Sequence, residues 1–150
     1  MTAADPGSPG RTVRVLVVDD DPRVRAGLAG VLAATPGLMV VASTGSATRA
    51  LTVAARGLAD VAIVDVLLPT LADGVQLVRS LSADVPVVAI SLDGTSRTEA
   101  LAAGAAAYLE KDGAVEDLLA AVLVAAEGPQ DFPDVSSEGR GPASPRRPGR

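Results

Sequence analysis

The sequence predicts an α/β protein: one parallel β-sheet with helices on both faces. Two observations carry this. Short apolar runs rich in Val, Leu and Ile alternate five times with longer stretches of helical periodicity. The apolar residues are also almost all aliphatic: they make up 48% of the chain while aromatics make up 1%. Such a core suits Val-rich strands beneath Ala- and Leu-rich helices.

The elements follow in order. VRVLVV (13–18) reads as the first strand, and Pro22 suits the first turn of the helix after it. LMVVAS (38–43) follows a TPG turn as the second strand, and a helix over 46–57 stops at Gly57. DVAIVD (60–65) is the third strand, followed by a helix over about 73–82. VPVVAIS (85–91) is the fourth, with a helix over 95–103 closed by Gly104. AAAYLE (105–110) is a weaker fifth strand before a last amphipathic helix over 114–126. Right-handed crossovers join these units into a doubly wound sheet, for which the order 2-1-3-4-5 is expected. Domain organisation is read as a Pro/Gly-rich disordered lead (1–11), one folded domain (12–127) and a disordered Pro/Gly/Arg tail (128–150) with four arginines.

Composition removes several kinds of chemistry. The chain has no cysteine and no histidine, so thiolate, disulfide, imidazole and common zinc chemistry are excluded. Any resident metal must be a hard cation held by oxygen. The net charge of −5 argues against nucleic-acid binding by the domain. No apolar segment has membrane-spanning length and no signal-peptide core is seen, so a cytoplasmic protein without membrane association is expected.

The polar residues fall at strand ends. In an open parallel sheet, ligands bind beyond the carboxyl ends of the strands. Asp19, Asp20 and Asp21 end the first strand, Asp65 the third and Ser91 the fourth, and Lys111, the only lysine, lies beyond the fifth. In the expected order these residues converge on one edge. Carboxylates packed this closely need a cation, and magnesium suits so few protein ligands. Asp65 would serve as both ligand and nucleophile, Lys111 would neutralise an incoming anion and Ser91 would donate a hydrogen bond to it, an arrangement for phosphoryl transfer to a carboxylate. Each residue also has an ordinary reading: an Asp after a strand caps a helix or a turn, and a lone serine or surface lysine is common. The signal is their conjunction.

Over about residues 12–127 the chain resembles the receiver domain of bacterial two-component response regulators, with a CheY-like (flavodoxin-like) fold. The resemblance is carried by VLVVDDDPRVRAGL, ADVAIVDVLLPTLADG, VPVVAIS and AAGAAAYLEKDG. The YLEKD form is similar to the NarL/FixJ-type branch. The resemblance implies that Asp65 takes a phosphoryl group from a sensor histidine kinase. It also implies magnesium held by Asp19, Asp20, Asp65 and the backbone carbonyl of Leu67. Ser91 and Lys111 would bind the phosphoryl oxygens. Tyr108 would be a switch aromatic that turns inward as Ser91 moves, reshaping the surface of helix four, strand five and helix five for an output protein. Self-phosphorylation and autodephosphorylation would be its only catalysis, and a homodimer is possible on this reading.

Four departures from the family pattern stand out. The PTLADG loop is one residue longer than the common form. Leu92 follows Ser91 where a small residue is usual, so it is expected to hinder Asp65 or Tyr108. Leu67 is apolar where a polar residue often guides water, and an extended phosphoryl lifetime is expected. Asp21 adds a charge, read as a helix cap. The NarL-type helix-turn-helix is not found after the domain, so DNA binding by this chain is not expected. Arg140, Arg146, Arg147 and Arg150 are read as a solvated tail. The alternatives are a truncated DNA-binding regulator acting as a dimerising or competing receiver, and, remotely, a haloacid-dehalogenase-type phosphatase opened by Asp19-x-Asp21. The second predicts a further acidic pair at a strand end after Lys111. Asp112, Glu116 and Asp117 instead fall in or before a helix, and Asp65 is left without a role.

Overall fold

A computed structural model describes residues 11–92 and 94–128. The readings for 1–10 and 129–150, the tail arginines included, lie outside the described residues. Five strands, β1 (Val13–Val18), β2 (Leu38–Thr44), β3 (Val61–Asp65), β4 (Val87–Ser91) and β5 (Ala107–Glu110), form one parallel sheet in the order β2-β1-β3-β4-β5. The helices are α1 (Pro22–Ala33), α2 (Ala47–Ala55), α3 (Leu71–Leu81), α4 (Arg97–Ala102) and α5 (Val115–Glu127). Fold and strand order match the sequence reading.

Alternation along the strands divides the core in two. Val64, Val87, Ala89 and Tyr108 face one side, where they pack with residues of α2, α3 and α4 such as Ala50, Leu77, Val78 and Ala100. Val17, Ile63, Val88 and Ile90 face the other, with Leu32 of α1 and Val122 of α5. β1, β3 and β4 are buried almost throughout, as expected of strands covered on both faces.

Caps set where the helices begin. Asp21 accepts the Arg23 N–H at 2.9 Å and Pro22 occupies the first turn of α1. Ser46 caps α2 through the Arg49 N–H at 3.1 Å. Thr70 caps α3 through the Asp73 N–H at 3.1 Å and donates to the Asp73 carboxylate at 2.9 Å, which starts this helix two residues earlier than its apolar pattern indicates. α2 ends before Gly57 and α4 before Gly104, both at positive φ. α4 is much shorter than the 95–103 expected: a 3₁₀ turn, Gly94–Ser96, precedes it. Ser96 stands at its N-cap, yet its hydroxyl meets the Tyr108 hydroxyl at 3.0 Å instead of a helix N–H.

Candidate functional site

The strand order carries the predicted residues to one edge. Asp19 follows β1, is fully buried, and accepts the Asp21 N–H on Oδ1 at 2.9 Å. The Asp19 carbonyl accepts from Arg25 Nη1 at 2.6 Å, which ties the loop to α1. Asp65 ends β3 at 5% exposure, and its Oδ1 accepts the Leu67 N–H at 3.0 Å. Lys111 is held near both, because its backbone N–H donates to the Ser91 carbonyl at 2.8 Å. Its Nζ lies 2.8 Å from Asp19 Oδ2 and 3.1 Å from Asp65 Oδ2.

One ammonium therefore bridges two buried carboxylates. Burial pushes the Asp65 carboxyl above its ordinary range. The Leu67 N–H and Lys111 oppose that rise, and the Asp19 charge adds to it. Burial alone would lower the Lys111 pKa, but hydrogen bonds and charge from Asp19 and Asp65 together raise it.

Each of Asp19, Asp20 and Asp65 presents a carboxylate oxygen within 4.8 Å of the others, with Asp20 exposed. An all-oxygen set open on one side suits a hard divalent cation that keeps part of its water. Ser91 is fully buried, and its Oγ has no hydrogen-bond partner among the described residues. A buried hydroxyl left this way is costly unless a ligand completes it. The site thus fits both a divalent cation and an anionic group.

Asp21 does not belong to the cluster. Its side chain caps α1 and lies 3.6 Å from Arg23 Nε, and the Arg23 N–H holds its carboxyl below the ordinary value. The D-x-D phosphatase reading loses its second carboxylate here.

The structure places Tyr108 and Leu92 on opposite sides of the sheet, so the expected restriction of Tyr108 by Leu92 is corrected. Tyr108 is already turned inward, 6% exposed among the residues under α2, α3 and α4, and paired with Ser96. Leu92 is 66% exposed and lines a groove on the α1–α5 side. It lies across the sheet from Tyr108 and does not restrict it, because a side chain just past the buried strand end turns to solvent.

Two residues of the site were not assigned roles from sequence. Ser96 carries no motif, and only the fold brings it to Tyr108. Gly74 falls in the PTLADG stretch, and its need for a glycine is not visible in the sequence. The reason is steric: a Cβ there would lie 1.8 Å from the Val66 carbonyl oxygen, next to Asp65.

The family model of the response regulator receiver domain matches residues 15–123. This chain belongs to that family. It is 41% identical over 96 residues to a protein-glutamate methylesterase/protein-glutamine glutaminase of Anaeromyxobacter dehalogenans, covering 63% of this chain and 26% of the relative. It is 34% identical over 121 residues to the response regulator GacA of Pseudomonas viridiflava, covering 77% and 56%. The signal receiver domain of NarL from Mycobacterium tuberculosis superposes with a TM-score of 0.71 at 32% identity, over 79% of this chain and 99% of that one. The chain spans about half or less of the length of these curated relatives. The receiver-domain match and the acidic pocket are consistent with phosphorylation-dependent signalling. No helix among the described residues is long and apolar enough to cross a membrane.

Proposed function

We propose that Asp65 accepts the phosphoryl group from the phosphohistidine of a sensor histidine kinase, in the cytoplasm. A carboxylate oxygen of Asp65 bonds to phosphorus, the P–N bond breaks, and the imidazole leaves with its electron pair. The product is an acyl phosphate on Asp65. The observation that carries this reading is one buried carboxylate beside an ammonium, with a buried hydroxyl that has no hydrogen-bond partner among the described residues at the end of the neighbouring strand β4.

The chain's own residues supply positioning and charge. The Leu67 N–H fixes the Asp65 carboxylate through Oδ1. Lys111 is shared between Asp19 and Asp65 and turns to the phosphoryl oxygens once they arrive. Ser91 Oγ donates the hydrogen bond that it lacks among the described residues. Asp19, Asp20, Asp65 and the Leu67 carbonyl are the ligands proposed for magnesium. When bound, that ion offsets the negative charge gathered between acceptor and donor.

The switch proposed for the output side starts from the pairing of Ala89 with Tyr108, two residues before Ser91 on the same sheet face. The small Ala89 leaves room for the ring. Movement of Ser91 toward a phosphoryl group changes the packing that Tyr108 and Ser96 share, and hence the surface of α4, β5 and α5. That surface contacts the output protein or a second copy of the chain. We assign the domain no turnover of free metabolites; the methylesterase relative shows that such a match can occur in a longer enzyme.

The test is intact-mass analysis after incubation with magnesium and acetyl phosphate, with Asp65→Asn in parallel. One phosphoryl group is expected on the wild type and none on the variant. Equal labelling of both proteins would overturn the assignment of Asp65. Absence of labelling from acetyl phosphate and from phosphorylated sensor kinases alike would overturn the phosphoacceptor reading.

A further inference from the structure

Charge is divided unevenly across the sheet. β2 is an edge strand, and residues 34–59, which hold β2, α2 and their connections, include Arg49 and Arg56 and no acidic residue. Residues 87–127, from β4 through β5 to the end of α5, include seven acidic residues against Arg97 and Lys111. The β2 side of the domain is therefore basic and the β4–β5 side acidic. Each side also leaves large apolar side chains in water, where scattered single exposures would be ordinary.

The acidic side holds a concavity. A groove of about 440 Å³ opens on the α1–α5 side, between the start of α1, the end of β4 and the segment that joins β5 to α5. Its apolar wall includes Leu92, Leu109 and Val115, with Leu92 and Val115 exposed. Glu110, Asp112 and Asp117 line it too, and none of the three has an ion-pair partner among the described residues. The Lys111 ammonium does not offset them, because it is turned to Asp19 and Asp65. An occupant of this groove needs an apolar ridge with cations beside it.

The basic side presents such a ridge. Arg49 lies in α2 and Arg56 at its C-cap. Their spacing of seven residues puts them on one side of the helix, about 10 Å apart. Both are exposed, and neither has an ion-pair partner among the described residues. Just past this helix end Leu58 is 45% exposed, and Met39 of β2 is 46% exposed. Leu38 and Val40 pack on the α1–α5 side, so Met39 between them faces the α2 side. Arg14 lies between the two apolar residues: Met39 is its partner across β1 and β2, and Asp60, two residues after Leu58, grips it from β1's other side. Asp60 offsets Arg14, so Arg49 and Arg56 are the cations left to a partner on α2.

The ridge and the groove lie on opposite faces of the sheet, so they cannot meet within one copy. We propose that they meet between copies: Leu58 and Met39 of one molecule enter the Leu92–Val115 groove of the next, with Arg49 and Arg56 against Glu110, Asp112 and Asp117. Opposite charge sets the orientation and the choice of partner. The contact is heterologous, so each copy keeps a ridge or a groove for a further copy, and association continues beyond two molecules or closes as a ring. One helix edge in one groove is a small contact, at the low end of an interface range that begins near about 1,200 Å², so assembly is weak and follows concentration. The inference does not rest on phosphorylation of Asp65.

The experiment is sedimentation velocity of the unphosphorylated full chain in a dilution series at about 0.01 M salt, where screening extends about 30 Å. Wild type is compared with a ridge variant (Arg49→Glu with Arg56→Glu), a groove variant (Asp112→Arg with Asp117→Arg) and an equimolar mixture of the two. All four positions are exposed. The wild-type average mass is expected to rise above the monomer with concentration. It should fall back at about 0.15 M salt, where screening shortens to about 8 Å. Each variant alone carries like charge on both surfaces and is expected to stay monomeric. The mixture should associate again, because the new glutamates of one protein meet the new arginines of the other. A monomeric wild type throughout the series would overturn the proposal, as would either variant associating as wild type does. Wild-type association with no recovery in the mixture would overturn the pairing of these two surfaces. A mass that stops at two copies and ignores the α2 substitutions would replace this contact by a symmetric one elsewhere.

Discussion

Gly74→Ala sets two effects of opposite sign against each other. In a helix interior Ala is favoured over Gly by about 1 kcal/mol. At this position, however, the added Cβ would stand 1.8 Å from the Val66 oxygen, 2.3 Å from its carbonyl carbon and 2.8 Å from its Cα. Carbon–oxygen contacts ordinarily begin near 3.3 Å, so α3 and the loop after β3 must separate by about 1.5 Å. These atoms are backbone and cannot rotate aside. Separation also strains the Val66 N–H to Ile90 carbonyl bond, 3.0 Å long, that ties this loop to β4. Overpacking of this kind costs about 1–3 kcal/mol and occasionally more. Taking the upper end, about 3 kcal/mol, for a backbone clash this deep and subtracting the helix gain of about 1 kcal/mol leaves a net loss of about 2 kcal/mol, with a fall in Tm of about 6–12 °C for a domain of this size. Gly27→Ala and Gly30→Ala are the controls. Both lie in α1 with nothing within 4 Å of an added Cβ, so each should gain about 0.5–1 kcal/mol. Urea and thermal unfolding of the three variants decide the matter. A Gly74→Ala variant as stable as the controls would refute the steric account.

Other substitutions test the electrostatics and the switch face. Asp65 has its carboxyl pKa raised by burial, so the folded state binds that proton more tightly than the unfolded chain, and stability falls as pH rises through the carboxylate range. Asp65→Asn should therefore be more stable than wild type at pH 7 and lose that advantage on acidification; urea midpoints across pH measure it. Tyr108→Phe removes the partner of the buried Ser96 hydroxyl, at a cost of about 1–2 kcal/mol. Adding Ser96→Ala should restore part of it, a coupling that a double-mutant cycle reads directly. At the other end of the sheet, Arg14 grips Asp60 through Nε at 3.1 Å and Nη2 at 2.9 Å. The Arg14 hydrogen bond holds the Asp60 carboxyl below its ordinary value despite partial burial. Its contribution is present above the ordinary carboxylate pKa and is lost as pH falls through the folded value. Asp60→Asn should cost about 0.5–1 kcal/mol, discounted because Arg14 is partly exposed, and the deficit should vanish in acid.

Legibility in the sequence followed the range of the interactions involved. Strands β1, β3 and β4 could be read because burial on both faces leaves continuous aliphatic runs, and their polar ends marked the site. The convergence of Asp19, Asp65, Ser91 and Lys111 followed from strand order alone. Contacts set by packing between elements were not legible. Nothing near Ser96 announces Tyr108, and no local pattern marks the 3₁₀ turn that precedes the short α4. Leu92 was read as an obstruction because sequence gives a residue's bulk without the direction in which it points. The contact of Gly74 with Val66 depends on how closely α3 seats against the loop after β3, which no local pattern specifies.

The run of three aspartates shows how little like charge in sequence says about like function in space. Asp19 turns inward, is fully buried, and meets Lys111 at 2.8 Å. Asp20 faces solvent yet keeps an oxygen in reach of both buried carboxylates. Asp21 turns to the helix and accepts the Arg23 N–H. Successive side chains at a strand end point in different directions, so three adjacent charges are distributed among an ion pair, an open ligand position and a cap. The division has an energetic consequence. Lys111 offsets Asp19 and Asp65 together, so the acidic pair can persist without a metal. A divalent cation must then compete with, or displace, an ammonium already in place. Lys111→Ala should therefore tighten magnesium binding to the resting domain while weakening retention of the phosphoryl group on Asp65. Magnesium titration followed by amide NMR, alongside the lifetime of the phosphorylated species by intact mass, separates the two effects. Weaker magnesium binding in the variant would show that Lys111 does not compete for these carboxylates.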